Sequence, residues 1–389
     1  MRLALLCALC CACASRQKAP TAEELDFHRR ALVVDAHSDV TEAIRYEQYD
    51  LGQRHEDHHE DLPRMQEGGL KAQFFSVFVQ PGRFRPEQFF DEAQTQIDAI
   101  HKAVGASPAQ IAMARTAADV RDNARSGKIS ALLGVEGGHL LLPGSEEEEL
   151  DHLRVFAFQG VRYLTLTWAN SNPIGGSSGD EGETQGLTDF GRRVIAEMER
   201  LGVLVDLAHV SDPLFWDAIR AAKKPVLVSH SSSRALANHP RNLTDAQLKA
   251  VARNGGAACV NFSRGFLDDG FRKAALPVAN QTKDLKTSDR RKAYQAARLP
   301  DVPVSVLVDH IEHMARVAGT DHVCLGSDFD GVPMVPTGLE DVSNLPVITA
   351  ELLRRGFARA DVEKILGLNL LRVLEAAEPK RTALRDPSW

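Results

Sequence analysis

Six side chains in this 389-residue chain share both a chemistry and a local setting. His37 and Asp39 lie in VVDAHSD, Glu136 in ALLGVEGGH, His209 in VLVDLAH, His230 in PVLVSH and Asp328 in HVCLGSD. Each closes a short apolar run. His37 and Asp39 are two apart, so on an extended strand both leave the same face and can reach one cation. His209 and His230 offer imidazole nitrogens, which are common zinc donors. Glu136 precedes Gly137 and Gly138, and its carboxylate can bridge two metals. Asp328 suits an acid/base role. Taken singly, each has a plainer reading as a cap, a loop acid or a core histidine. Taken together they describe a two-cation site, with His37 and Asp39 on one side, His209 and His230 on the other, and Glu136 between. Two metals about 3.5–4 Å apart polarise a carbonyl and bring the pKa of water down to about 7, which is metal-assisted hydrolysis. Mixed nitrogen and oxygen donors suit Zn²⁺ best, with Mn²⁺ and Fe²⁺ as alternatives.

Such residues converge only if the runs that carry them are neighbouring strands. Eight strand candidates occur, at 31–37, 69–79, 129–137, 161–167, 203–209, 225–230, 257–262 and 322–328. Between them lie segments with apolar residues at three-to-four spacing, such as PEQFFDEAQTQIDAIHKAV and LTDFGRRVIAEMERLG. Thr188, Asp212 and Thr244 are the expected caps of three of these helices. Strands alternating with helices, and polar residues recurring at the strands' C-terminal ends, predict an α/β fold of the (β/α)8 TIM-barrel type. A doubly wound open sheet is the alternative. Two C-terminal segments, PVITAELLRRGF and ADVEKILGLNLLRVLEAAE, are expected to be additional helices that close the barrel. Two long insertions, 170–186 after the fourth predicted strand and 267–301 after the seventh, read as loops and fall on the active face. At least one is expected to cover substrate or contact a second subunit. RHEDHHED (54–61), although rich in His and acid, lacks a strand pattern and reads as a solvated loop.

The net charge of −7 comes without a basic stripe, which argues against nucleic-acid binding. Residues 1–20 read as a signal peptide or lipoprotein leader, because LALLCALCCACAS is apolar but too short to span a bilayer. Residues 21–389 then form one metallohydrolase domain. The protein is expected to be exported, periplasmic or at the cell surface. Simple secretion and a lipid anchor on Cys13, giving membrane attachment through the N-terminus, both stay open. Removing the leader leaves Cys259 and Cys324, for which core packing is favoured over a disulfide.

The stretches VVDAHSDV, GVEGGH, GVRYLTLTW, LVDLAHVSD, SHSSSRAL, HPRNLTD and GSDFDGVP together resemble the membrane (renal) dipeptidases, a zinc-dependent branch of the amidohydrolase-like barrels. The likeness runs from about residue 25 to 377. It implies two Zn²⁺ ions per subunit, with His37 and Asp39 on the first, His209 and His230 on the second, and Glu136 bridging. It also implies a dipeptide substrate and a homodimer. Asp328 matches an acid that holds the substrate's amino group or shuttles a proton. Arg241, in HPRN, matches an arginine that binds the substrate's terminal carboxylate, a pairing a guanidinium fork makes well. One position departs from the pattern. Trp168 ends LTLTW where the family usually has His, and an indole has a single N–H donor and takes no charge. Loss of one oxyanion donor can cost about 10²–10³ in rate. The substitution leaves open a related amide or lactone hydrolase with altered substrate range, or a surface binding protein with weak turnover.

Overall fold

The structure, a computed structural model, describes residues 18–379 apart from 181, 183, 184 and 284. Residues 1–17, with Cys13 and the other leader cysteines, lie outside the described residues. Nine parallel strands form among those described. They are β1 (Val33–Ser38), β2 (Leu70–Val77), β3 (Ile111–Met113), β4 (Ile129–Glu136), β5 (Val161–Thr165), β6 (Leu204–Asp206), β7 (Leu227–Ser231), β8 (Ala257–Val260) and β9 (Val323–Leu325). All except β3 close a barrel, because β2 pairs with β4 on one side and with β1 on the other, and β1 pairs with β9. The predicted (β/α)8 barrel is therefore the fold. β3 is an addition that the sequence pattern did not reveal. It pairs with Ile129–Ala131 of β4, just before the stretch of β4 that β5 takes over.

The barrel interior is filled by Val34, Ala36, Phe74, Leu132, Tyr163, Leu204 and Leu227. The C-terminal helix Asn369–Ala377 packs Leu370, Leu371 and Leu374 onto the same cluster, as expected of a closing helix. Gly134 is required on β4 because a Cβ there would overlap the Tyr163 ring. No helix among the described residues is long and apolar enough to cross a membrane.

Four expectations need correction. Cys259 and Cys324 are directly opposed on β8 and β9 and form a disulfide, where simple core packing was expected. Parallel neighbours in register bring their Cα atoms to 4.1 Å, a proximity that the 65-residue separation conceals. Ser211, rather than Asp212, caps helix Asp212–Ala221, accepting from the Leu214 N–H. Asp212 is instead held by Arg234 at 2.7 Å. The 267–301 insertion is mostly helical, with Asp269–Thr282 and Thr287–Ala296 as its two main helices. Finally, 54–61 is only half solvated. His58, His59, Glu60 and Asp61 are buried, with His59 and Asp330 exchanging backbone-to-side-chain hydrogen bonds.

Candidate metal centre

His37 is the second-last residue of β1, and Glu136 the last of β4. His230 lies near the end of β7, while His209 and Asp328 sit three residues beyond the ends of β6 and β9. These two residues adopt left-handed backbone conformations, φ 65° and 62°, which turn the chain sharply at the barrel mouth. The 170–186 insertion braces one of those turns, since the Ser178 N–H and hydroxyl both donate to the His209 carbonyl.

The side chains converge. Glu136 presents one carboxylate oxygen to each donor set. Its Oε2 lies 3.7 Å from His37 Nε2, and its Oε1 lies 2.9 Å from His209 Nε2 and 3.5 Å from His230 Nε2. The two latter imidazole nitrogens are 3.0 Å apart. His37 Nε2 and Asp39 Oδ1 are 3.6 Å apart, and both atoms are buried without a hydrogen-bond partner. Among the described residues, two groups have donor atoms mutually within 4.8 Å, namely His37–Glu136–His230 and His37–Asp39–Asp328. RHEDHHED contributes to neither.

Burial and repulsion among clustered carboxylates dominate the electrostatics of the site. Burial pushes Glu136 well above the usual carboxylate range, with Asp39 and Asp328 adding repulsion. Burial opposes charge on His37, yet Glu136, Asp39 and Asp328 outweigh it and raise the imidazole to about 10. Burial, reinforced by nearby cationic side chains, holds His209 and His230 well below their ordinary value, so both stay neutral with a lone pair to donate. Buried unpaired donors, neutral imidazoles and clustered carboxylates are what a divalent cation needs.

Residues that the motifs did not single out orient this set. Tyr163 Oη lies 2.8 Å from His37 Nδ1. Asp206 accepts hydrogen bonds from Thr165 Oγ1 and Ser229 Oγ, each at 2.6 Å, and Ser229 Oγ lies 2.8 Å from His230 Nδ1. Asn261 donates to Asp328 Oδ2 at 2.7 Å. Such outer partners fix ring tautomer and orientation. Asp206 had one visible signal, an acid in the middle of the apolar run VLVDLAH.

Arg241 and Trp168 line the same cavity, of about 980 Å³, as Asp39, Glu136, His209 and Asp328. Arg241 donates through Nη2 to the His230 carbonyl at 3.3 Å, while its Nη1 is buried and unpartnered. Trp168 packs against Phe78, with ring centres 4.6 Å apart and His209 6.3 Å away. The cavity is lined by both helices of the 267–301 insertion, through residues such as Arg272, Arg290 and Tyr294.

The family model for membrane dipeptidases, peptidase family M19, matches residues 21–388. This chain belongs to that family. Among solved structures, the dipeptidase AC, an M19 metallopeptidase, is 28% identical and superposes with a TM-score of 0.74, covering 89% of this chain and 98% of that one. A metallopeptidase from Rhodobacter sphaeroides, liganded with a phosphinate mimic of the dipeptide L-Ala-D-Ala, is 26% identical with a TM-score of 0.75, covering 90% and 99%. The probable dipeptidase PvdM from Pseudomonas aeruginosa shares the fold at 23% identity and a TM-score of 0.78, covering 91% and 97%. The protein is accordingly a metallo-dipeptidase on a (β/α)8 barrel.

Proposed function

We propose that this M19 dipeptidase cleaves dipeptides with a free C-terminal carboxylate at a binuclear zinc centre. The observation that carries this reading is Glu136, whose two oxygens face two separate donor sets. His37 and Asp39 would hold one ion, His209 and His230 the other, and Glu136 both. When bound, the ions would supply Lewis acidity and a water ionised near neutral pH. Tyr163 and Ser229 keep the lone pairs of His37 and His230 aimed inward. Asp328, one oxygen fixed by Asn261, takes the proton of the attacking water and returns it to the leaving amine. Arg241, with Nη1 free and its guanidinium 5.6 Å from the Phe266 ring, receives the substrate's terminal carboxylate. That contact limits the enzyme to dipeptides, since the carboxylate must lie one residue beyond the scissile bond. The phosphinate dipeptide mimic bound by the Rhodobacter relative supports the substrate class.

Trp168 stands where the resemblance anticipates an imidazole, and it favours a substrate range shifted from simple dipeptides. Zinc-loaded protein assayed on a panel of L,L- and L,D-dipeptides, amides and lactones tests both readings. Dipeptide hydrolysis is expected, with kcat/KM falling at least about 10²-fold in Arg241→Ala. Trp168→His is expected to raise kcat on small dipeptides. Activity confined to lactones or non-peptide amides would overturn the dipeptide reading, and bound zinc with no turnover would favour a binding protein. The Cys259–Cys324 disulfide supports export to an oxidising compartment. Mass determination of the mature N-terminus would separate simple cleavage from lipid attachment at Cys13.

A further inference from the structure

The cavity is larger and more cationic than the proposed chemistry requires. Its volume, about 980 Å³, is at the upper end of small-molecule sites, and a dipeptide is a small ligand. Away from the metal centre, Arg83, Lys283, Lys286 and Arg290 line the wall, with Glu42 as the carboxylate among them. Lys283, Lys286 and Arg290 come from the 267–301 insertion. Glu42 is shared, as Arg83 Nη1 stands 4.0 Å from it and Lys286 also acts on it. Arg272 lines the wall too but is held by Asp269 at 2.8 Å. Among the described residues, Lys283 and Arg290 have no carboxylate partner, and Arg290 Nε is buried with no hydrogen-bond acceptor. Asp39 and Glu136 cannot balance these charges, since a metal centre would use them, and Asp328 is held by Asn261 for the proton transfer. Burying an unpaired guanidinium nitrogen is unfavourable unless an acceptor arrives.

We propose that this outer wall is an anion subsite and that the preferred substrates are dipeptides with a carboxylate on a side chain. Lys286 and Arg290 are its specificity-determining residues, and Lys283 and Arg83 extend the field. A lysine side chain in the same place would meet like charge. A cavity with walls of one sign focuses the field, so the preference should weaken with salt. The inference rests on the dipeptidase reading above.

The test measures kcat/KM of the full, zinc-loaded enzyme for Ala-Ala, Ala-Glu, Glu-Ala, Ala-Lys and Lys-Ala at low and high ionic strength. At low salt the better acidic dipeptide should exceed its lysine counterpart by at least about tenfold, with the ratio shrinking in salt. The ratio should fall toward one in K286Q/R290Q and persist in R290K. Calorimetric binding of the same peptides to metal-free protein should show the same order. Equal values for acidic and lysine peptides, or a ratio that survives K286Q/R290Q, would overturn the subsite. Hydrolysis of Ala-Ala without acidic preference sinks only the subsite. No dipeptide hydrolysis at all sinks the dipeptidase reading, and the calorimetric order then decides the subsite alone.

Discussion

Tyr163 sits mid-strand in β5, with its hydroxyl 2.8 Å from His37 Nδ1. If His37 Nε2 is to keep a lone pair for a cation, Nδ1 must carry the hydrogen and donate it to that oxygen. Tyr163→Phe removes the acceptor and keeps the ring that fills the barrel. Zinc affinity, read by chelator competition, should weaken by about 10–100-fold with little change in thermal stability. Unchanged affinity would reduce Tyr163 to a packing residue. Gly331 is a second such position, because a Cβ there would overlap the carboxylates of Asp39 and Asp328. Gly331→Ala should therefore lower kcat by at least about tenfold, with secondary structure intact by circular dichroism. At this scale the six site residues were legible because each is a polar interruption at the end of an apolar run. Tyr163 and Asn261 were not, because within VRYLTLT and AACVNF they look like any residue of a buried strand.

The helices of the 267–301 insertion are tied to the barrel through Arg291. Its Nη2 lies 2.9 Å from Asp330, a buried carboxylate two residues after Asp328, and 3.1 Å from His59 Nδ1. His58 approaches the same carboxylate at 3.4 Å. The acidic and histidine-rich stretch at 54–61 is thus the seat on which the cap rests. Replacing Arg291 with Ala leaves Asp330 buried with fewer donors, at a cost of about 1.5–3 kcal/mol. Limited proteolysis should then cut within 267–301 faster than in the wild type, and KM for dipeptides should rise. An unchanged cleavage pattern would show that the cap is held elsewhere. Charge and length marked this insertion as functional, but its helices were hidden. Helix Thr287–Ala296 is polar on nearly every side, with Tyr294 its one buried residue, so it offers little periodicity. β3 was missed for another reason, as three residues are too few to show any period.

Across the whole molecule, alternation of apolar runs with amphipathic helices pointed to a parallel sheet covered by helices, and polar residues at so many strand ends favoured the barrel over an open sheet. Pairing between particular residues was not legible. Strand register decides that Cys259 faces Cys324, and the packing of helix Val304–Ala318 decides that His310 reaches two distant backbones. That histidine accepts from the Ser233 N–H through Nδ1 at 3.0 Å and donates through Nε2 to the Leu267 carbonyl at 3.0 Å. Only the neutral ring can do both, and burial, its largest cause, pushes the pKa down to about 4. The unfolded chain binds this proton near pH 6.5, so it holds more protons than the fold between about pH 6.5 and 4. The stability tied to neutral His310 is therefore fully present above pH 6.5 and is lost as the pH falls toward 4. Other buried groups titrate with the opposite sign, Glu42 and Glu149 among them, so the test must be a difference. Relative to wild type, His310→Gln should gain roughly 2–3 kcal/mol of unfolding free energy between pH 7.5 and 4.5, measured by urea denaturation of chelator-treated protein. A difference that does not change with pH would mean that His310 takes up its proton as readily in the fold as in the unfolded chain, and that the link from β7 to the cap insertion is made by something other than its two neutral hydrogen bonds.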